Sequence, residues 1–170
     1  MDYEEINQLA GTISIGSENL LCYPFGNGSE RILQNKNPGA SIKNLHFNQH
    51  NKAHVARAAQ EGIVFAMYYG VEIMQEMGLE VKKFRAGYAN MFLSDVFAEA
   101  FANTSGCVVE LYNTDGAIGA ARAAGVGAGI FSNHKESFRG LEVVKKAEPD
   151  QEKVKAYGDA YANWKEHLQI

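Results

Sequence analysis

The hydrophobic pattern is clearest over residues 52–77, where Val55, Ala59, Gly62, Ile63, Ala66, Gly70, Ile73, Met74 and Met77 fall on one stripe at helical spacing. The stripe predicts a single long helix, roughly 39 Å at 1.5 Å per residue, ended by Gly78. Its small residues, Ala58, Ala59, Gly62, Ala66 and Gly70, leave room for another element to come close. Upstream, residues 2–10 predict a short amphipathic helix with Ile6, Leu9 and Ala10 on one side. Leu20–Phe25 reads as a short buried strand, stopped by Pro24 and by Gly26-Asn27-Gly28. From Ser29 to Asn51 the chain is polar, with a turn at Asn37-Pro38-Gly39, and reads as a long surface loop. Loops of that length in compact domains usually contact something.

Downstream the period alternates between β and α: strand 80–86, helix 90–102, strand 107–112, helix 115–125. Such alternation predicts the α/β class, with parallel strands and covering helices. Residues 125–140 read as loop with a short helix near 134–139, and Leu141–Ala147 as a weak edge strand. A terminal helix over 150–168 carries Val154, Tyr157, Tyr161, Trp164 and Leu168 along one side.

Two turns in this alternation hold the strongest chemical signal. Arg85-Ala86-Gly87-Tyr88-Ala89-Asn90 follows the apolar-rich stretch Leu79–Phe84, and Asn113–Ala121, with Gly116 and Gly119, follows the β-forming Cys107–Tyr112. A strand that ends in small residues and opens a helix brings bare N–H groups and a positive helix end to one sheet edge. Nucleotides commonly bind at such edges. Two of them in one chain predict a nucleotide pocket.

Bulk properties narrow the field. At 170 residues, 46% hydrophobic and 21% charged, the chain has the composition of one globular domain. Its net charge of −4 argues against nucleic acid as a partner, since phosphate binding needs clustered Lys and Arg. No apolar run reaches the eighteen or so residues that span a bilayer, and the acidic N-terminus lacks the pattern of a secretory signal. Cys22 and Cys107 lie far apart without CxxC spacing, which fits structural thiols and a cytoplasmic location.

Other constellations have plain readings. His46, His50 and His54 recur every four residues, which on a helix would stack a metal site. The residues between them are poor helix formers, so a loop entering a helix is the better account. Arg57 and Glu61 fit an i, i+4 helix-surface pair worth a few tenths of a kcal/mol, with a catalytic role as the alternative. Asp95 and Glu99 read as a solvated face. Gly125-Val-Gly-Ala-Gly129 ends a helix instead of joining a strand to one, so it is not a dinucleotide fingerprint. Asn90 has two open readings: a helix cap, or an amide aimed at a nucleotide.

Several motifs occur in an order seen in one family. Ala40-Ser-Ile-Lys-Asn-Leu45, eight residues, then His54-Val-Ala-Arg-Ala-Ala-Gln-Glu-Gly62 resembles the C-terminal signature of the FGGY family of sugar kinases. The chain departs from it at Asn44, where Gly is usual, and at Gln60, where an apolar residue is usual. Arg85–Asn90 stands where that family has its glycine-rich adenosine loop, with Arg85 and Tyr88 departing from Gly-Gly-Gly-Ala. Asp115–Ala121 resembles the second nucleotide-side loop, and Pro24–Arg31 resembles a Gly-x-Gly/Ser-Glu-Arg loop of its xylulose kinases.

The resemblance implies an actin-like, ribonuclease-H-like ATPase domain, of which this chain would be the helix-rich, nucleotide-side C-terminal part with a short, mostly parallel sheet. It implies ATP and Mg²⁺ as cofactors and a missing N-terminal kinase domain as partner. The implied reaction is transfer of the γ-phosphate to a sugar, D-xylulose first, with ribulose, fuculose, glycerol or gluconate as alternatives. It places Ala86, Gly87, Tyr88, Asn90, Gly116 and Gly119 at the nucleotide, with Tyr88 able to stack on adenine. No Asp-x-Gly-Thr phosphate loop, Gly-Thr-Ser loop or junction Asp is present, and Gly11-Thr12 is only a faint echo. The expectation is therefore a domain fragment, inactive alone, with an open sheet edge that promotes homo-oligomers. A free-standing nucleotide- or protein-binding module is the reading from a different class.

Overall fold

The structure is a computed structural model that describes residues 2–168, with only the backbone of Glu30 and Arg31. Its axis is helix α2, Lys52–Glu76, close to the predicted span. Asn51 caps it in a capping box: the Asn51 side chain accepts from a first-turn N–H while His54 Nδ1 accepts from the Asn51 N–H. The histidine ladder is spent in this way. His50 Nδ1 accepts from the His46 N–H at 3.1 Å, and the three rings lie 6.0 and 5.3 Å apart.

Helix α1, Tyr3–Gly11, and strand β1, Leu21–Phe25, pack on the N-terminal half of α2. Gly62 sets that approach. A Cβ there would lie 2.2 Å from the Cys22 carbonyl oxygen, so only glycine lets the helix rest on the strand backbone. The segment 29–51 is not simply loop. It contains a 3₁₀ turn at Glu30–Leu33 and strand β2, Gly39–Lys43, antiparallel to β1 with Leu21 opposite Lys43. The pattern hides β2 because its middle residues are exposed and no face alternates.

The second sheet has the order β3-β4-β5, with β3 at Lys83–Gly87, β4 at Val108–Tyr112 and β5 at Val143–Ala147. The parallel pairing expected from the alternation is that of β3 with β4, while β5 joins β4 antiparallel. Phe84 meets Phe101 of helix α3, Asp95–Ser105, with ring centroids 4.8 Å apart. Helix α4, Gly116–Gly127, has one buried residue, Gly125, and rests mainly on the short α5, His134–Ser137. The outer edge of β3 has no strand partner among the described residues.

Helix α6, Gln151–Glu166, closes the core through the predicted aromatic stripe. Trp164 is 1% exposed, its Nε1–H donates to the Cys22 carbonyl at 2.8 Å, and Tyr23 Oη donates to the Trp164 carbonyl at 2.9 Å. One apolar cluster runs from Tyr23 and Phe25 through Val64, Phe65 and Phe97 to Val109 and Leu111, uniting both sheets.

Two charge readings change. Arg57 and Glu61 do not form a surface pair; they are 4% and 2% exposed, with Nε 2.6 Å from Oε1. Arg57 also donates to Tyr157 Oη at 2.7 Å, and Glu61 accepts from the Gly16 N–H at 3.1 Å and from Ser17 Oγ at 3.3 Å. The spacing alone predicts contact between the two, but the Gly16-Ser17 turn and Tyr157 of α6 cover that face. Asp95 is solvated and pairs with Lys145, whereas Glu99 is engaged by Lys153 at 2.8 Å and by Tyr157 Oη at 3.1 Å. Both cysteines are free thiols, and burial raises each above its ordinary pKa.

Candidate nucleotide cleft

At the C-terminal ends of the parallel pair, Gly87 lies opposite Tyr112. The two turns leave from this edge and are tied together. The Tyr88 N–H donates to the Tyr112 carbonyl at 2.8 Å, and the Thr114 N–H donates to the same oxygen at 2.7 Å. A Cβ at Gly87 would lie 2.4 Å from the Thr114 carbonyl oxygen, so glycine is what lets the turns touch. Asp115 then caps α4, its Oδ1 accepting from the Ile118 N–H at 2.8 Å. This presents the positive end of a twelve-residue helix beside the first turn.

The first turn behaves differently from the expectation. Asn90 opens a 3₁₀ turn, Asn90–Leu93, and α3 begins only at Asp95. The cap is Ser94, whose Oγ accepts from the Phe97 N–H at 3.4 Å. A capping residue needs extended backbone, which Ser94 has (φ −84°, ψ 125°), whereas Asn90 sits in the left-handed region at φ +53°. The cap reading of Asn90 is therefore replaced. Ser94-Asp95 before Val96-Phe97 has the residue types of a helix start, a signal the reading of 90–102 passes over.

Between the turns lies a cleft of about 300 Å³. Ala86, Gly87 and Asn90 line it from the first turn and Gly116 from the second, so four of the six residues singled out from sequence meet in one place. The same cleft is walled by Met91, Phe92 and Phe97, and by Ile63 and Met67 of α2. Ile63 belongs to the hydrophobic stripe, whereas Met67, one turn further on, lies outside it; a stripe that runs the whole helix does not reveal which turns face a cavity. Tyr88 is outside the lining; the residue is 40% exposed and its ring stands 5.9 Å from Lys145 Nζ. Gly119 is one turn along α4, where an added Cβ would meet nothing within 4 Å.

Arg85 belongs to the opposite face of the sheet, as strand alternation requires. There it helps line a second recess of about 560 Å³ together with Tyr112, Thr114, Phe138 and Leu141, and Ala86 and Gly87 line both this recess and the cleft. Glu110 organises this face. It accepts from Lys83 Nζ at 2.7 Å, Tyr112 Oη at 3.0 Å and Arg85 Nε at 3.4 Å. The Lys83 hydrogen bond, then that of Tyr112, brings its pKa down from 4.5 to about 2.

The apolar walls, the glycine-lined mouth and the open helix end fit a flat base with a phosphate tail. Among the described residues no group of three or more His, Cys, Asp or Glu is arranged to hold a metal ion. No helix among those residues is long and apolar enough to cross a membrane.

No protein-family model matches the chain. Individual relatives do. The chain is 32% identical over 173 aligned positions to the xylulose kinase of Haemophilus influenzae, covering 99% of this chain and 34% of that protein. It is 30% identical to the L-xylulose/3-keto-L-gulonate kinase of Escherichia coli, again over 99% of this chain and 33% of that protein. The crystal structure of xylulose kinase from Rhodospirillum rubrum superposes with a TM-score of 0.77 at 22% identity, covering 96% of this chain and 33% of that one. The fold is thus that of an actin-like ATPase domain, and the curated relatives and solved neighbours that the chain resembles are sugar kinases of the FGGY family. The chain spans about a third of the length of the curated relatives that it matches.

Proposed function

We propose that this chain is the nucleotide-side, C-terminal domain of an ATP-dependent sugar kinase, and that D-xylulose is the acceptor of the γ-phosphate. The single observation that carries the reading is the cleft between the turns after β3 and β4, where Ala86, Gly87, Asn90 and Gly116 meet against apolar walls. In this reading the adenosine lies against Met91, Phe92, Ile63 and Met67, and the Asn90 amide bonds the nucleotide. The N-terminal end of α4 faces the phosphates and offsets their charge. In this reading the sugar, the base that takes its hydroxyl proton and the Mg²⁺ site belong to the N-terminal kinase domain and the phosphates; among the described residues no group of three or more His, Cys, Asp or Glu is arranged to hold a metal ion.

The test is calorimetric titration of the chain with ADP, followed by Asn90→Ala. Binding that weakens at least fivefold in the variant supports the assignment; unchanged affinity in the variant contradicts the role of Asn90. In a full-length enzyme carrying this domain, the same substitution should raise the KM for ATP and leave the KM for sugar unchanged.

A second reading keeps the kinase and changes the acceptor. It is favoured by the similarity to a relative named L-xylulose/3-keto-L-gulonate kinase. Sugar-selecting residues lie mostly outside this chain, so an activity screen of the whole gene product with D-xylulose, L-xylulose and 3-keto-L-gulonate separates the two.

A further inference from the structure

Gln60 stands on the α2 face that walls the cleft, one turn before Ile63 and two before Met67. The other two are apolar, as packing prefers. Gln60 is 3% exposed, a placement unfavourable for an amide unless both its ends are bonded. Both are. Its Oε1 accepts from Ser94 Oγ at 2.7 Å, and its Nε2 donates to Asn7 Oδ1 of α1 at 3.0 Å.

Ser94 is where the loop from β3 ends and α3 begins. Its N–H donates to the Met91 carbonyl at 3.0 Å, closing the 3₁₀ turn, and its Oγ accepts from the Phe97 N–H. The hydroxyl is 1% exposed, and Gln60 Oε1 is the acceptor for its proton. The turn so anchored contains Asn90, at φ +53°, and the cleft residues Met91 and Phe92. A left-handed non-glycine residue persists only where its surroundings hold it. Here the hold runs from α1 through one buried amide to the end of the turn.

We propose that Gln60 is a positioning residue for the nucleotide cleft: through Ser94 it fixes the Asn90–Leu93 turn in its binding shape before any nucleotide arrives. The proposal rests on the nucleotide reading of the cleft. An apolar residue at position 60 packs as well but leaves the Ser94 hydroxyl and the Asn7 amide without these partners.

The test uses the 170-residue chain and two readouts. Without ligand, Gln60→Leu should speed amide hydrogen exchange of Met91–Phe97 about tenfold, with the amides of Tyr157–Trp164 unchanged. With ADP, the same variant should bind about tenfold more weakly. Ser94→Ala should behave like Gln60→Leu, the double variant should be no worse than either single one, and Ser94→Thr, which keeps the hydroxyl, should retain wild-type values. Unchanged exchange at Met91–Phe97, or a rise spread equally over α6, overturns the proposal and leaves Gln60 an ordinary core residue. If the unaltered chain fails to bind ADP while the local exchange effect appears, the nucleotide reading fails and the positioning of the turn by Gln60 stands.

Discussion

Arg57 and Glu61 form an ion pair 2.6 Å long that solvent hardly reaches, wedged between α2, the Gly16-Ser17 turn and Tyr157 of α6. Burial raises the Glu61 carboxyl, and Arg57 and the Gly16 and Ser17 donors pull against that shift. Removing one partner should be far worse than removing both. Arg57→Met or Glu61→Gln alone should destabilise by about 3–5 kcal/mol, since each strands a buried charge. The double variant Arg57→Met/Glu61→Leu should recover part of that loss, with the remainder belonging to Gly16 and Ser17. Urea unfolding of the four proteins checks the order.

Glu110 gives the pH dependence. Its pKa is lowered to about 2 from 4.5 by hydrogen bonds from Lys83 and Tyr112. A carboxyl held lower in the folded chain contributes stability that is complete above the unfolded value, near 4.5. That contribution is lost as pH falls from there toward 2. Carbon-detected NMR titration should find Glu110 titrating near 2, and Lys83→Met should bring it closer to 4.5.

Gly62 should tolerate no side chain. In Gly62→Ala the new Cβ falls 2.2 Å from the Cys22 carbonyl oxygen, which is backbone and cannot swing aside. The helix must move off β1, at a cost of about 1–3 kcal/mol. Thermal unfolding should show a lowered midpoint, with Gly119→Ala as the control, since an added Cβ there meets nothing within 4 Å.

Asn90 separates backbone from side chain. At φ +53°, Asn90→Ala should lose about 1 kcal/mol of stability through the left-handed backbone alone, whereas Asn90→Gly should not. Both should weaken ADP binding, because both remove the amide. If Asn90→Gly binds normally, the contact is made by the backbone.

The edge of β3, which has no strand partner among the described residues, and the exposed apolar side chains of α4, such as Ile118 at 43% exposure, predict self-association of the chain alone. Light scattering after size exclusion should show mass rising with concentration. A clean monomer at high concentration contradicts this.

Much of this was legible in the residues. The stripe over 52–77 and the aromatic stripe ending at Trp164 marked their helices within a residue or two, because each buries one continuous face. The turns at 85–90 and 113–121 were found because small residues directly after a β-forming run mark the passage from strand to helix. What escaped needed knowledge of neighbours. Strand β2 is held by its hairpin and not by a buried face, so no period marked it. The Arg57–Glu61 pair looked like surface because its covering elements come from the far ends of the chain. Gln60 looked like a mere departure from an apolar position, since its partners, Asn7 and Ser94, lie 53 and 34 residues away.

Helix α2 carries the β1–β2 hairpin on its first half and the cleft wall, Ile63 and Met67, at its middle. A rod of twenty-five residues does not bend to suit one end only. Insertions that lift the hairpin, or a partner that presses on it, would therefore tilt the floor under the nucleotide, making the hairpin a remote lever on a pocket it never touches.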